Sequence, residues 1–338
     1  MKQFGKKIQI SLKNFDIHKT VIGLLIIVIM ILAASTISNF FSLGNLKAVV
    51  NSFVLEAIMA LGMTLVIISG GIDLSIAGIL PFSAIIFAML MKADVHYGIA
   101  AGAVLVMAAV IGLINNALRR LLKIHPFIIT MATMLLLKGA SLALTDGRVV
   151  SKFPENFSIF LGLEILGIPL PVVVFIGLAV VYYLLLNHNR HFLRVFFVGG
   201  NFQAAKLSGI NTERVLAFVY MQSALLAGLA GLLAVTTYNS ASSNFGQGAE
   251  LRVITAVAIG GTSLTQGGVG SISGTLLGSL FLALTYNIFI MSGFSTYYQD
   301  VMTGAMLILA IVLSEQAKVF RNVIRERLSR KLPMRESK

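Results

Sequence analysis

The sequence predicts an all-α, polytopic membrane protein of about ten transmembrane helices. Three observations predict it. Apolar residues make up 57 % of the 338-residue chain and charged residues only 12 %, against roughly 25 % charged in ordinary globular chains. So few charges cannot coat a water-exposed surface of this size. The apolar residues fall in runs near the ~20 residues that cross a hydrocarbon core. The Lys and Arg residues lie between those runs and divide unequally between alternate loops, which is the pattern that orients membrane proteins. The formal charge of +13 therefore reads as membrane orientation and not as nucleic-acid binding. The chain contains no Cys, which excludes disulfides, cysteine nucleophiles and cysteine-ligated metals.

Taken in order, the candidate spans cover 20–38, 47–69, 74–92, 97–118, 126–145, 166–187, 215–236, 251–264, 271–291 and 297–315. The first is longer than the apolar core of a secretory signal and lacks a small-residue cleavage site, so it reads as a span. The eighth is short. Gly and polar residues interrupt the chain around 70–75 and 260–270. No loop is long enough to form a second folded domain. The expected organisation is a basic segment 1–19, a transmembrane domain 20–315 with a long loop 188–214, and a basic tail 316–338. Twenty of the 26 Lys and Arg fall on the side of both termini. Five (Lys47, Lys92, Arg148, Lys152 and Arg252) fall on the other, and Lys138 lies inside the fifth span. This asymmetry places both termini in the cytoplasm. Loops 146–165 and 237–250 then face outward. The second is polar but nearly uncharged, which suits a neutral polar partner, a protein or plain solvent.

Gly270, Gly274 and Gly278 recur every fourth residue, and Gly98 and Gly102 form another such pair. Small residues at this spacing let helices approach closely in lipid, either as ordinary packing or as the lining of a path that moves.

Charges inside spans cost about 2.5–3.5 kcal/mol each and usually face a protein interior or a cavity. Glu56, Asp73, Lys138 and Asp300 are the candidates. Asp73, in Ser69-Gly70-Gly71-Ile72-Asp73-Leu74-Ser75, can cap the helix that follows it or contact a ligand. Gly70 and Gly71 permit the backbone to break there. Glu56 either faces a watery path or pairs with Lys138. Asp300 reads as an interfacial anchor. Gly260 and Gly261 mark a second break, which is either an intramembrane interruption of the kind transporters use to bind polar solutes or a turn between spans eight and nine.

The signatures of enzymes are missing. No Gly-x-x-x-x-Gly-Lys-[Ser/Thr] phosphate loop is present. His188 and His191 sit in a basic loop and read as surface, and no Ser–His pairing is suggested. Gly-Gly-Ile-Asp is not the Gly-x-Gly-Asp of intramembrane aspartyl proteases. No cofactor is expected. In loop 188–214, Ala204, Leu207 and Ile210 can share one face of a short helix that Gly209 ends. Such a helix can insert into a groove on a partner.

At these residues the chain resembles the permease subunits of ribose/xylose/arabinose-type ABC sugar importers, the family that includes autoinducer-2 permeases. The resemblance covers nearly all of 45–315. It rests on Ala60-Leu61-Gly62-Met63-Thr64 through Ser75, on Gly199–Ile210 with Leu225–Gly231, and on Glu250-Leu251 with Ala258–Leu264 and Gly267-Gly268-x-Gly270. It implies the permease fold of ABC importers, a bacterial plasma (inner) membrane location and a second permease subunit. It also implies a cytosolic ABC ATPase subunit, an extracytoplasmic sugar-binding protein and surrounding membrane lipid. The family's Glu-Ala-Ala-x-x-x-Gly coupling segment maps onto Gln203, Ala204, Ala205, Lys206, Leu207, Ser208 and Gly209, with Gln in place of the acidic residue. Glu56 occupies a position that is commonly small or amide in relatives. A neutral sugar needs hydroxyl and amide partners, so the expected lining is Asn51, Glu56, Thr64, Thr133, Gln222, Thr236 and Asn239. Helix–helix hydrogen bonding is the alternative for each.

Overall fold

The computed structural model describes residues 17–153, 157 and 163–312. The predicted tail 316–338 and nearly all of segment 1–19 lie outside the described residues. Each of the ten apolar runs contains a helix among the described residues, and what varies is its length. Seven described helices are long and apolar enough to cross a membrane. They are α1 (Ile17–Thr36), α2 (Leu43–Ile68), α4 (Tyr97–Leu122), α5 (Pro126–Thr145), α6 (Leu170–His188), α9 (Thr212–Tyr238) and α11 (Ile272–Met291). Two shorter apolar helices, α3 (Ile76–Lys92) and α12 (Gln299–Val312), accompany them. The eighth predicted span is the 11-residue α10 (Ala249–Ile259). It stops short of the predicted residue 264 because Gly260 is its C-cap and Gly261 takes a φ of +88°, a conformation that cannot continue a right-handed helix.

Local chemistry sets the ends. The Ser42 side chain accepts from the Asn45 amide at the start of α2. Pro126 opens α5, where its missing N–H is no loss, and the His125 ring accepts from the Phe127 amide. Arg119 and Arg120 occupy the last turn of α4, where cations complement the helix dipole. Two-residue strands β1 (Glu164–Ile165) and β2 (Ile168–Pro169) form a hairpin. Leu166 and Gly167 both have positive φ at its tip, as a type I′ turn demands.

The long helix α9 is the centre of the bundle and packs against α2, α3 and α4. Its close approach to α4 depends on Gly112, where a Cβ would stand 2.4 Å from the Tyr220 carbonyl. Gly274 and Gly278 of α11 press on the backbone of Gly260 and Ala256, so that pair packs helices. Gly102 meets nothing within 4 Å. The helices α1, α4, α5 and α6 turn Leu25, Val106, Leu136 and Val180 outward, as a surface solvated by lipid tails requires.

Candidate functional site

Loop 188–214 folds as two helices, α7 (Arg190–Gly200) and α8 (Phe202–Leu207). On α7, Phe192, Val195 and Val198 are buried, while Arg190, His191, Arg194 and Phe197 are exposed. The Asn201 side chain caps α8 by accepting from the Ala204 amide, and Gly209 follows its end with φ +80°. Ala205 is the buried residue of α8. Gln203, Ala204, Lys206, Ser208 and Gly209 are exposed, and Leu207 is 88 % exposed. The expected common face of Ala204, Leu207 and Ile210 is thus split: Leu207 points away from the bundle and Ile210 is half-buried.

The end of α7 is joined to the bundle backbone-to-backbone. The Gly268 amide donates to the Ile68 carbonyl at 2.7 Å. A Cβ on Gly199 would lie 1.8 Å from that same carbonyl oxygen and 2.7 Å from the Gly268 nitrogen. Only glycine fits there. Gly199 thus brings the end of α7 into direct backbone contact with the end of α2 and the 260–271 turn.

At the same end of the bundle, Asp73 is completely buried. Its Oδ1 accepts from the amide and hydroxyl of Ser75. Asn115 Nδ2 donates to the Ser75 hydroxyl at 2.9 Å, and the Thr133 hydroxyl donates to Asn115 Oδ1 at 2.7 Å. Asp73 thus ties the 69–75 break to α4 and α5. Its Oδ2 is buried without a hydrogen-bond partner among the described residues. Gly70 has φ +85°, and a Cβ on Gly71 would strike the Tyr220 hydroxyl at 2.6 Å. Arg119 pairs with Glu213 across α4 and α9 close by. His18 Nε2 lies 2.9 Å from the Ile259 carbonyl at the Gly260–Gly261 break.

A second polar group lies near the middle of α2. The partner of Glu56 is Arg252 on α10, whose Nε donates to Glu56 Oε1 at 2.6 Å. Lys138 instead stands 3.9 Å from Glu250 Oε2. Arg252, grouped with the outer loops by its sequence position, is therefore held at the depth of Glu56, about 18 Å from the Ile68 end at ~1.5 Å per residue. A Cβ on Gly248 would come 3.3 Å from Asp300 Oδ1 and 3.1 Å from Arg252 Nη1, so Asp300 borders this charged group. Sequence reasoning flagged Glu56 and Lys138 but did not assign Glu250 and Arg252 as their partners. The available signal was two opposite charges at the head of a short apolar run.

The other expected lining residues are scattered. The Thr64 hydroxyl is bonded to the Thr275 hydroxyl at 2.7 Å and to the Ala60 carbonyl at 2.6 Å. Thr133 is engaged by Asn115. The Thr236 hydroxyl bonds back to the Leu233 carbonyl. Asn239 ends α9 in a left-handed conformation and is exposed. Asn51 and Gln222 are half-buried. No group of three or more His, Cys, Asp or Glu able to hold a metal occurs among the described residues.

Residues 45–311 match the family model described as branched-chain amino acid transport system / permease component. The chain is 36 % identical over 304 residues to the ribose import permease protein of Escherichia coli (strain K12), covering 88 % of this chain and 94 % of the relative. It is 35 % identical over 305 residues to the ribose import permease protein of Bacillus subtilis (strain 168), covering 87 % and 91 %. It is 32 % identical over 292 residues to the autoinducer 2 import system permease protein of Photorhabdus temperata, covering 84 % and 87 %. No solved structure matches.

Proposed function

Because the chain belongs to the ABC-importer permease family of the ribose and autoinducer-2 type, a family of transport components and not of enzymes, we propose that it carries a neutral monosaccharide across the bacterial plasma membrane by alternating access. The solute is a pentose, a hexose or a related polyol delivered by an extracytoplasmic binding protein. A cytosolic ABC ATPase subunit supplies the free energy, and a second permease subunit completes the membrane unit. Both termini face the cytoplasm, as does the end of the bundle that carries α7 and α8. Asn51, Glu56, Gln222, Thr236 and Asn239 remain the proposed contacts along the path, whereas the Thr64 and Thr133 hydroxyls are engaged inside the helix bundle. Gln203 through Gly209 form the proposed coupling segment.

The observation that carries this reading is the exposed Leu207 on a short helix that follows α7, whose Gly199 meets the Ile68 carbonyl at the end of α2. An apolar side chain presented to water at the tip of a capped helix suits a groove on a partner. Nucleotide-driven closure of that partner moves α8, and the rigid contact at Gly199 transmits the motion to α2 and the 260–271 turn. This chain contributes different contacts in the two states, and the partner contributes the energy.

Leu207→Asp is the direct test, because Ala205 is buried and its substitution also perturbs folding. The expected outcome is loss of ATP-dependent uptake, and of co-purification with the ATPase, at an unchanged amount of protein in the membrane. Uptake that follows a proton gradient without ATP overturns the reading in favour of a secondary transporter. Related importers with this scaffold carry other solutes, so a binding protein that retains a nucleoside or an autoinducer-2-like solute redirects the substrate but leaves the mechanism intact.

A further inference from the structure

Four charged side chains meet beside the middle of α2: Glu56 on α2, Lys138 on α5, and Glu250 and Arg252 on α10. None is sealed. Their side chains are 25 %, 26 %, 16 % and 17 % exposed, whereas Asp73 and Thr64 in the closed core are 0 % exposed. Leu251, between the two α10 charges, is 44 % exposed. An edge of this kind cannot rest against lipid tails, where each charge costs several kcal/mol. Nor does α10 need these pairs to be held in place, because the Gly274 and Gly278 contacts already seat it against α11.

Hydrogen-bonding capacity is left over on this edge. Arg252 uses Nε on Glu56 and Nη1 on the Gln247 carbonyl, two of the five N–H groups of a guanidinium. Lys138 Nζ is at ion-pair range of Glu250 Oε2 but beyond hydrogen-bond range, and that oxygen has no hydrogen-bond partner. The two acids and two bases of these pairs cancel, and Asp300 at the border adds one negative charge, so the edge offers strong donors and acceptors with little net charge.

We propose that the Glu56–Arg252 pair lines an aqueous path and contacts the solute there, the carboxylate accepting from one hydroxyl of a neutral polyol and the guanidinium donating to its neighbour. The substrate contact rests on the transport function proposed above, whereas the aqueous path does not.

The chain contains no cysteine, so a single introduced thiol reports alone. Leu251→Cys and Val180→Cys, the latter on the outer face of α6 and 53 % exposed, are compared in membranes bearing the full complex. The probe is a charged, membrane-impermeant methanethiosulfonate. The expected result is modification of the thiol at 251 and none at 180. An inert thiol at 251 overturns the proposal, since the edge is then sealed by protein. The second arm is the charge exchange Glu56→Arg with Arg252→Glu, which keeps a pair but reverses its geometry. With labelled D-ribose as probe, KM is expected to rise about tenfold or more at a wild-type amount of protein in the membrane. Wild-type uptake by the exchanged variant makes the pair structural and overturns the solute contact. If the chain retains no ATPase and moves no ribose, the transport function and the solute contact both fail. The thiol at 251 still decides whether the edge is wet.

Discussion

The two polar groups along α2 solve the same problem in opposite ways. Near Ile68, Asp73 is fully buried and its Oδ1 is satisfied by a chain running through Ser75, Asn115 and Thr133. Near the middle of α2, Glu56 meets an opposite charge on a part-open edge. A buried carboxylate held through one hydrogen-bonded oxygen, with Oδ2 left without a partner, fixes the elements around it, because each partner removed strands another. A carboxylate paired at a hydrated edge can exchange partners at lower cost, because water covers the difference. The first arrangement suits a joint that transmits force, and the second suits a surface that handles a passing solute.

The closed end also contains the tightest packing, and the largest effect is expected there. Gly199→Val drives side-chain atoms into the Ile68 carbonyl, where even a Cβ would stand at 1.8 Å. The backbone must move, so little folded protein is expected in the membrane or in a monodisperse size-exclusion peak. Gly200→Ala, one residue on, meets nothing within 4 Å and is expected to behave as wild type. Equal outcomes for the two glycines break the picture of a rigid joint.

Next in size is Asp73→Ala. It leaves the Ser75 amide and hydroxyl without their acceptor in a site closed to water, for a cost of about 1–3 kcal/mol. Asp73→Asn keeps an amide oxygen in place of Oδ1 and is expected to recover most of the thermal stability in detergent. Glu56→Gln sharpens the contrast. It removes the partner of Arg252, but at an edge reached by water, so its loss of thermal stability is expected to be smaller than that of Asp73→Ala. A larger loss makes the Glu56 site a closed core like the other.

Much of this was legible in the sequence. Composition and run length identified the ten apolar helices, because the ~20-residue crossing and the low charge content are direct consequences of a lipid solvent, but not α7, which lay inside the predicted loop. The glycine breaks at 70–71 and 260–261 were legible for the same reason, since a positive φ at Gly70 and Gly261 leaves few alternatives to glycine. Pairings across the fold were not. Nothing local tells Glu56 to choose Arg252 over Lys138, because the choice depends on α10 starting deep in the bundle. That in turn depends on the irregular 239–248 segment, whose path no periodicity describes. The contact of Gly199 with Ile68 is equally silent, since a glycine records that space is short without recording what fills it.

The smallest expected effect separates path from packing most sharply. Thr64 was a candidate for the solute path. In the structure its hydroxyl is fully buried and spent on Thr275 and the Ala60 carbonyl. Interhelical hydroxyl bonds of this kind are worth about 0.6 kcal/mol on average in membrane proteins, because the separated helices find other partners. Thr64→Val keeps the branched shape and removes that bond between α2 and α11. The valine leaves the Thr275 hydroxyl free to turn to a carbonyl on its own helix, which limits the loss. A drop in thermal stability near that figure, with the KM for uptake unchanged, places Thr64 in the packing. A KM shift comparable to that of the Glu56 and Arg252 exchange puts a hydroxyl from the closed core on the path, and the division of α2 into a joint and an open edge then fails.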